Sequence, residues 1–168
     1  MLSRHDKPLR ERLYKSIGFE PCAELRLPDE LNDRRLTNPD GAANNHCIKI
    51  KVADDEQWAI PLIYSKSGTY DPAKGGEFFD YLVFQFLVIE QKVDQGATTA
   101  KIVDGQPLLV APKDAGGFID QVGRNTAYII HPDEVLADNF VLIVNGQANV
   151  ASPEILARIQ SVFLTVAP

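Results

Sequence analysis

The chain has few of the residues on which disulfide frameworks and metal sites depend. Its 168 residues include two cysteines, Cys22 and Cys47, and three histidines, His5, His46 and His131. Two cysteines without a Cys-x-x-Cys spacing are too few for a disulfide framework or a cysteine-rich metal site. Each is therefore expected to be a small, partly buried apolar residue.

Long apolar runs and an excess of positive charge are also missing. The longest apolar-rich segment, Tyr81 to Ile89, is interrupted by Gln85 and is too short to span a bilayer. The first residues contain no apolar stretch of the length that a signal peptide needs. The net charge of −6 and the pI of about 5.0 argue against a surface that follows nucleic-acid phosphates.

These properties predict an acidic cytoplasmic protein that binds neither a nucleic acid nor a membrane. Its partner is expected to be a protein or a small molecule, and the sequence leaves the oligomeric state open. With 45% apolar and 24% charged residues, the chain has the balance of a globular protein. Residues 1–168 are predicted to form a single α+β domain, with a mainly antiparallel sheet, an N-terminal helix and two C-terminal helices.

Capping residues mark the three predicted helices. The first is capped by Asp6, has Pro8 in its first turn and ends at Gly18, with an apolar face of Leu9, Leu13 and Ile17. The last runs from Ser152 to Phe163, with Pro153 at its first position.

The second predicted helix begins at Pro132 and ends at Val144, before Asn145 and Gly146. We expect it to bury a stripe that consists of Leu136, Phe140 and Ile143. On that expectation, Phe140→Ala would cost about 3–5 kcal/mol of stability.

Two strands and a turn are predicted before residue 65. Cys47–Val52 alternates apolar and polar residues as a half-buried strand does. Trp58–Tyr64 is a second predicted strand, and Pro61 places it at a sheet edge or a bulge. Asp54–Gln57 is the predicted turn between them.

The middle of the chain contains one ambiguous segment and one clear turn. Phe78 to Val93 fits either a strand or a buried helix, and its aromatic and β-branched content favours a long central strand from about Tyr81 to Glu90. Asp104-Gly105 between two apolar runs predicts a tight hairpin within residues 100–110. The segments 37–45 and 70–76 are predicted loops.

The segment from Tyr128 to Phe140 contains the most informative group of side chains. On the predicted helix, Glu134 and Asp138 are four residues apart and share a face, and His131 stands just before the first turn. A carboxylate and an imidazole within reach of each other can share a metal ion or shift each other's pKa. These three residues are therefore the candidate site.

The spacing Glu134-x-x-Ala137-Asp138 resembles the glutamate helix of gluzincin-type zinc metallopeptidases. The stretch from Asn125 to Phe140 resembles segments of bacterial proteins of that general kind whose function is not assigned. The resemblance implies that Glu134 is a zinc ligand and that Asp138 orients a zinc-bound histidine. It covers about 16 residues of the chain.

The rest of the gluzincin pattern is missing from the sequence. That family needs a His-Glu-x-x-His helix, which supplies two zinc ligands and a general base, and no two histidines here have that spacing. A zinc site with three protein ligands would have to combine His46, His131 and Glu134. Without the histidine pair, the catalytic residues remain unassigned.

Two functions follow from these observations. The first is a non-catalytic binding or interaction domain that resembles part of a metallopeptidase scaffold and needs no cofactor. The alternative is a metal-dependent, peptidase-like hydrolase in which His131 and Glu134 hold zinc in an unfamiliar arrangement. Each candidate residue also has a purely structural explanation: Glu134 suits the positive end of a helix dipole, His131 can cap the helix, and Asp138 with Asn139 can bond to a neighbouring loop.

Overall fold

The computed structural model describes residues 5–36, 43–67, 71, 73, 75–92 and 97–165. Five α-helices lie within these ranges: α1 Lys7–Ser16, α2 Asp29–Asn32, α3 Phe118–Val122, α4 Pro132–Val144 and α5 Pro153–Leu164. Two short 3-10 helices occupy Phe78–Tyr81 and Pro112–Asp114. No helix in the described ranges is long and apolar enough to cross a membrane.

The strands form one large antiparallel sheet and a small hairpin. They are β1 Phe19–Pro21, β2 His46–Val52, β3 Asp55–Ser65, β4 Leu82–Lys92, β5 Ala97–Ala100, β6 Ile102–Val103, β7 Gln106–Pro107 and β8 Leu109–Val110. The large sheet has the order β1-β2-β3-β4-β5, and β8 also pairs with β4. The architecture is therefore α+β with a mainly antiparallel sheet, an N-terminal helix and C-terminal helices, as the sequence predicts.

The two faces of the sheet carry separate hydrophobic cores because neighbouring residues of a strand point to opposite faces. On β2, Ile48 and Ile50 face the core that α1, α4 and α5 cover, whereas Cys47 faces the other core. The segment after β1 covers this second core with Leu25, Leu27 and Leu31. Leu25 donates its backbone N–H to the Asn44 carbonyl at 2.9 Å and also forms a bridge with Thr98 of β5, so the segment after β1 lies next to both the start of β2 and the β5 edge of the sheet.

The structure corrects two predictions about β3. The turn before it consists of Ala53 and Asp54, so residues 55–57 belong to the strand and not to the turn. Pro61 lies on an interior strand between β2 and β4, not at an edge. The backbone groups of the odd-numbered residues of β3, such as Ile63 and Ser65, form their hydrogen bonds on the side of the strand that faces away from β4. Pro61 points its nitrogen to that same side, beyond the end of the β2 ladder, so it removes no hydrogen bond to β4.

The predictions for residues 78–110 are confirmed. Residues 82–92 form a strand, β4, and its residues Phe86, Leu87 and Val88 are fully buried. Asp104 and Gly105 join β6 to β7 with φ angles of 50° and 78°. These positive angles are those of the tight turn that an Asp-Gly pair favours. The predicted loop at residues 37–45 falls mainly outside the described residues, and the one at 70–76 is described only at residues 71, 73, 75 and 76.

Helices α1, α4 and α5 have the predicted positions, but the buried face of α4 differs from the prediction. Asp6 accepts a hydrogen bond from the backbone nitrogen of Leu9 at 2.9 Å and so caps α1. On α4, Val135 and Asn139 are fully buried, whereas Phe140 is 44% exposed. Leu136 and Ile143 are partly buried against the core. The ring of Phe140 lies 5.9 Å from that of Phe163 of α5.

Candidate functional site

His131 is the N-terminal cap of α4. Its backbone is extended, and its Nδ1 accepts a hydrogen bond of 3.2 Å from the backbone nitrogen of Asp133. A neutral imidazole that accepts at Nδ1 carries its proton at Nε2. Burial lowers the pKa of His131, and the carboxylates of Asp133 and Glu134 oppose this shift in part. The neutral ring that caps the helix is therefore the favoured form.

Asp133 joins the start of α4 to α1. The hydroxyl of Tyr14 donates a hydrogen bond of 2.8 Å to Asp133 Oδ1. Tyr14 is 3% exposed, and burial followed by the hydrogen bond to Asp133 raises the pKa of its phenol. Because the phenol keeps its proton, it remains a donor to the Asp133 carboxylate.

His46 lies on the other side of Tyr14, at the start of β2. Its ring is edge-on to the Tyr14 ring, with 4.6 Å between centroids. Its Nε2 lies 3.0 Å from Glu11 Oε2, and its Nδ1 lies 2.7 Å from Asn45 Oδ1. We call Glu11, Tyr14, His46, His131 and Asp133 the α1–α4 polar cluster. His46 also acts electrostatically on His131 and contributes to its lowered pKa.

The other two predicted site residues, Glu134 and Asp138, are differently placed. The backbone nitrogen of Glu134 donates to the His131 carbonyl at 3.1 Å, as part of the first turn of α4. Asp138 accepts a hydrogen bond from the hydroxyl of Thr126, which in turn accepts one from the backbone nitrogen of Tyr128 at 2.9 Å. Asp138 therefore holds the loop before α4 against the helix.

Asn139 extends this attachment into the core. Its Oδ1 accepts from Asn125 Nδ2 at 2.9 Å, and its Nδ2 donates to the Val135 carbonyl at 2.7 Å. Asn125 also bonds to both the backbone nitrogen and the carbonyl of Ser152, just before α5. The prediction that Asp138 and Asn139 bond to a neighbouring loop is confirmed. The role of Ser152 was not predicted, because nothing in the local pattern relates it to Asn125.

A zinc ion of the gluzincin type does not fit the side chains at this position. In the described part of the chain, no three His, Cys, Asp or Glu side chains are grouped so that they could hold a metal ion. The Nδ1 lone pair of His131 is already used by the Asp133 amide, and Asp138 is bonded to Thr126, not to a histidine. The arrangement can fix α1 and the preceding loop to α4, and we derive no chemical step from it.

The opposite side of α4 carries a different kind of surface. Phe140, Val141 and Val144 are 44%, 55% and 67% exposed, and Ala137 is exposed beside them. These residues follow the three- and four-residue spacing of one helix face. We call them the α4 outer surface. Nearby, a cleft of about 240 Å³ lies between the end of α4 and the start of α5, lined by Leu142, Ile143, Pro153, Leu156, Ala157 and Gln160.

Comparison with protein families, with curated proteins and with solved structures finds no match to this chain. The resemblance to gluzincins therefore rests on the short motif around Glu134 alone. Any statement about function has to start from the surfaces and contacts of the chain itself.

Proposed function

We propose that the chain is a non-catalytic interaction domain that binds a protein partner through the α4 outer surface. In this proposal, the helices that resemble part of a metallopeptidase scaffold serve as a structural support, and no cofactor takes part. The cytoplasmic location expected from the sequence is part of the same proposal. The single observation that carries it is the exposure of Phe140, Val141 and Val144 on one helix face.

The distribution of apolar residues around α4 supports this role. The inner face of the helix is packed through Val135 and Asn139, so the domain core is complete without the outer surface. A surface helix normally presents polar residues to water, whereas a helix that is apolar on all sides is normally covered. Contiguous exposed apolar patches on globular proteins often mark interaction sites.

Charge indicates the chemistry of the partner. Helix α4 contains three carboxylates, Asp133, Glu134 and Asp138, and neither lysine nor arginine. The whole chain has a net charge of −6, which opposes the approach of a second copy. We therefore propose that the partner binds the α4 outer surface with an amphipathic helix that has an apolar face and basic flanking residues. In other proteins, amphipathic helices place their apolar face in an apolar groove in this way.

The contacts of the α1–α4 polar cluster, together with that of Asp138, support a structural role for the residues of the alternative hydrolase. His131 caps α4, Asp133 accepts from Tyr14 and Asp138 accepts from Thr126. Each of these bonds stabilises the start of the helix on which the outer surface lies. The polar cluster thus serves the proposed function by holding α4 in place.

The test uses labelled synthetic helices and matched lysine variants. One helix has a leucine face flanked by lysines, a second has the same leucine face flanked by glutamates, and a third has the lysines with the leucines scrambled. We expect saturable fluorescence-anisotropy binding of the first helix only. Val144→Lys should weaken it by about tenfold or more, equivalent to about 1.4 kcal/mol. Lysine near the end of α4 complements the helix dipole, so the fold should tolerate it.

Val103→Lys is the control, because Val103 is also an exposed valine, 44% accessible, but lies in the β6–β7 hairpin. Equal weakening by both variants, or no preference for the basic amphipathic helix, contradicts the proposal. Sedimentation of the unmodified chain gives a second check. Dimers that Val144→Lys abolishes would assign the surface to a second copy.

A zinc measurement distinguishes the proposal from the hydrolase alternative. Zinc content is measured in the parent chain and in the Glu134→Gln and His131→Ala variants after mild dialysis. We expect no stoichiometric zinc, because the catalytic zinc sites of proteins usually have three protein ligands. One zinc ion per chain, lost in both variants, would overturn the non-catalytic proposal in favour of the hydrolase.

A further inference from the structure

The only two cysteines of the chain lie side by side. In the β1–β2 ladder, Glu20 pairs with Cys47 and Pro21 with His46. The ladder continues by one residue, since the backbone nitrogen of Cys22 donates to the Asn45 carbonyl at 2.8 Å. Cys22 and Cys47 are thus diagonal neighbours on one face of two paired segments. Both side chains belong to the same hydrophobic core, and each thiol lies close enough to the other to influence its ionisation.

The two thiols differ in their access to solvent. Cys47 is fully buried, whereas Cys22 is half-buried at the edge of the same core. A dissolved reagent can therefore reach Cys22 but not Cys47. Cys47 can react only with a group that Cys22 presents to it.

The surroundings of Cys22 favour its thiolate. The hydrogen bond with Cys47 is the largest influence and lowers the pKa of Cys22, burial opposes this shift, and the nearby Thr98 hydroxyl lowers the pKa further. The thiolate is the reactive form of cysteine, so a lowered pKa increases the fraction that can act as a nucleophile.

The burial of Thr98 supports the same conclusion. It is only 6% exposed, and its hydroxyl makes no hydrogen bond of ordinary geometry within the described ranges. An unsatisfied buried hydroxyl is costly. Its neighbour is the Cys22 sulfur, and a thiolate there would accept the bond that the hydroxyl can donate. The unsatisfied donor therefore lies where it stabilises the reactive form of Cys22.

We propose that Cys22 and Cys47 form a redox-sensitive dithiol that is oxidised by hydroperoxides. The Cys22 thiolate attacks the terminal oxygen of the hydroperoxide, the O–O bond breaks, and the other oxygen leaves as an alcohol or water after taking up a proton. The product is a sulfenic acid at Cys22. Cys47 sulfur then attacks Cys22 sulfur, a disulfide forms, and the hydroxyl leaves with the Cys47 proton as water. Two thiols thus supply the two electrons that reduce one hydroperoxide.

The proposal is independent of the α4 outer surface, which belongs to the helical layer on the other face of the sheet. A disulfide between Cys22 and Cys47 would fix the end of β1 to β2. Diagonal neighbours in a sheet lie about 7–8 Å apart between Cα atoms, slightly more than a disulfide usually spans, so bond formation requires the backbone at the end of β1 to move towards β2 by about 1 Å.

The experiment treats the full chain with hydrogen peroxide after removal of reductant. Free thiols are counted after denaturation, and the intact mass and the non-reducing gel mobility are recorded. We expect both thiols to disappear together, with the mass loss of two hydrogen atoms, in a chain that remains unlinked to others and is restored by dithiothreitol. Peptide mapping should identify one bond between Cys22 and Cys47. Thiols that persist while free cysteine is oxidised would overturn the proposal, as would disulfides between chains or sulfinic acids without a disulfide.

Variants separate the roles of the two cysteines and of Thr98. With Cys47→Ser, dimedone should trap a sulfenic acid at Cys22, whereas with Cys22→Ser the buried Cys47 should stay unreactive in the folded chain. Thr98→Val should slow the oxidation of Cys22 by about tenfold, the change expected when a charged group loses one hydrogen bond. Thr99→Val is the matched control on the same strand and should leave the rate unchanged. Equal rates in both threonine variants would remove Thr98 from the proposal. A reactive Cys47 in the Cys22→Ser variant would overturn the assigned order of attack.

Discussion

Replacing Asn139 by alanine tests whether α4 is attached through a buried polar contact. Asn139 is fully buried and makes two side-chain hydrogen bonds, one from Asn125 and one to the Val135 carbonyl. The Val135 carbonyl keeps its backbone partner in α4 after the substitution, so only about 1 kcal/mol of net hydrogen-bond energy is lost there. Asn125 loses the acceptor for one of its two amide hydrogens, which adds about 1–2 kcal/mol because that side chain is only partly buried. The expected loss is therefore about 2–3 kcal/mol.

The assay is urea denaturation followed by circular dichroism and by the fluorescence of Trp58, the single tryptophan. The midpoint should fall while the denaturant slope stays constant, because the surface exposed on unfolding is unchanged. Asn145→Ala is the control, since Asn145 is an exposed asparagine at the end of the same helix. It should cost less than about 0.5 kcal/mol.

A double-mutant cycle with Asn125→Ala isolates the contact between the two asparagines. Directly bonded residues show coupling energies of about 0.5–3 kcal/mol, and we expect a value in that range. Additive effects of the two substitutions, or an Asn139→Ala variant as stable as Asn145→Ala, would refute the inference that this contact holds the helix.

Four further substitutions test the packing of the core and the cap of α4. Phe86→Ala should lower the free energy of unfolding by about 3–5 kcal/mol because Phe86 is fully buried. Phe140→Ala should lower it by about 1–2 kcal/mol because its ring is 44% exposed. Equal urea midpoints for the two variants would contradict the burial assigned to these side chains. Gly123→Ala should cost at least about 1 kcal/mol, since Gly123 has φ +81° and an added Cβ would lie 2.5 Å from Ile155 Cγ1. An unchanged midpoint would rule out that backbone conformation. Burial lowers the pKa of His131 in the folded chain, so the unfolded chain binds this proton more strongly and stability falls as the pH drops below about 6.5. His131→Asn keeps a capping side chain and should show a smaller loss of stability between about pH 8 and pH 5; an identical loss would show that His131 does not contribute.

Local signals in the sequence predicted the elements whose cause is itself local. The Asp6 cap and Pro8 marked the start of α1, the alternation of residues 47–52 marked β2, and Asp104-Gly105 marked the hairpin. In each case the residues that determine the backbone conformation are neighbours in the chain. The short helix α3 was not predicted, because its five residues are too few to show a helical period.

Local signals predicted the position of the candidate site but not the residues that contact it. Residues 131–138 were correctly placed at the start of a helix, and a capping role for His131 follows from its position before Pro132. The partners that determine what these residues do lie elsewhere. Tyr14 is 119 residues from Asp133, and His46 belongs to β2, 85 residues before His131. No spacing within the motif indicates either neighbour.

Two features were decided by tertiary structure alone. Asn139 faces the core and Phe140 faces solvent, opposite to what their polarity predicts, because Asn125 satisfies the buried amide and no element in the described ranges covers the ring completely. Cys22 and Cys47 are in contact because the β1–β2 register places them on one face of two paired segments. The sequence by itself determined the three long helices, most of the strands and the absence of a histidine pair, since these depend on residues close in the chain. Which side chains are in contact depends on the orientation of the helices on the sheet and on the register of the strands. Both are set by the free energy of the whole packed domain and not by residues that are close in the chain.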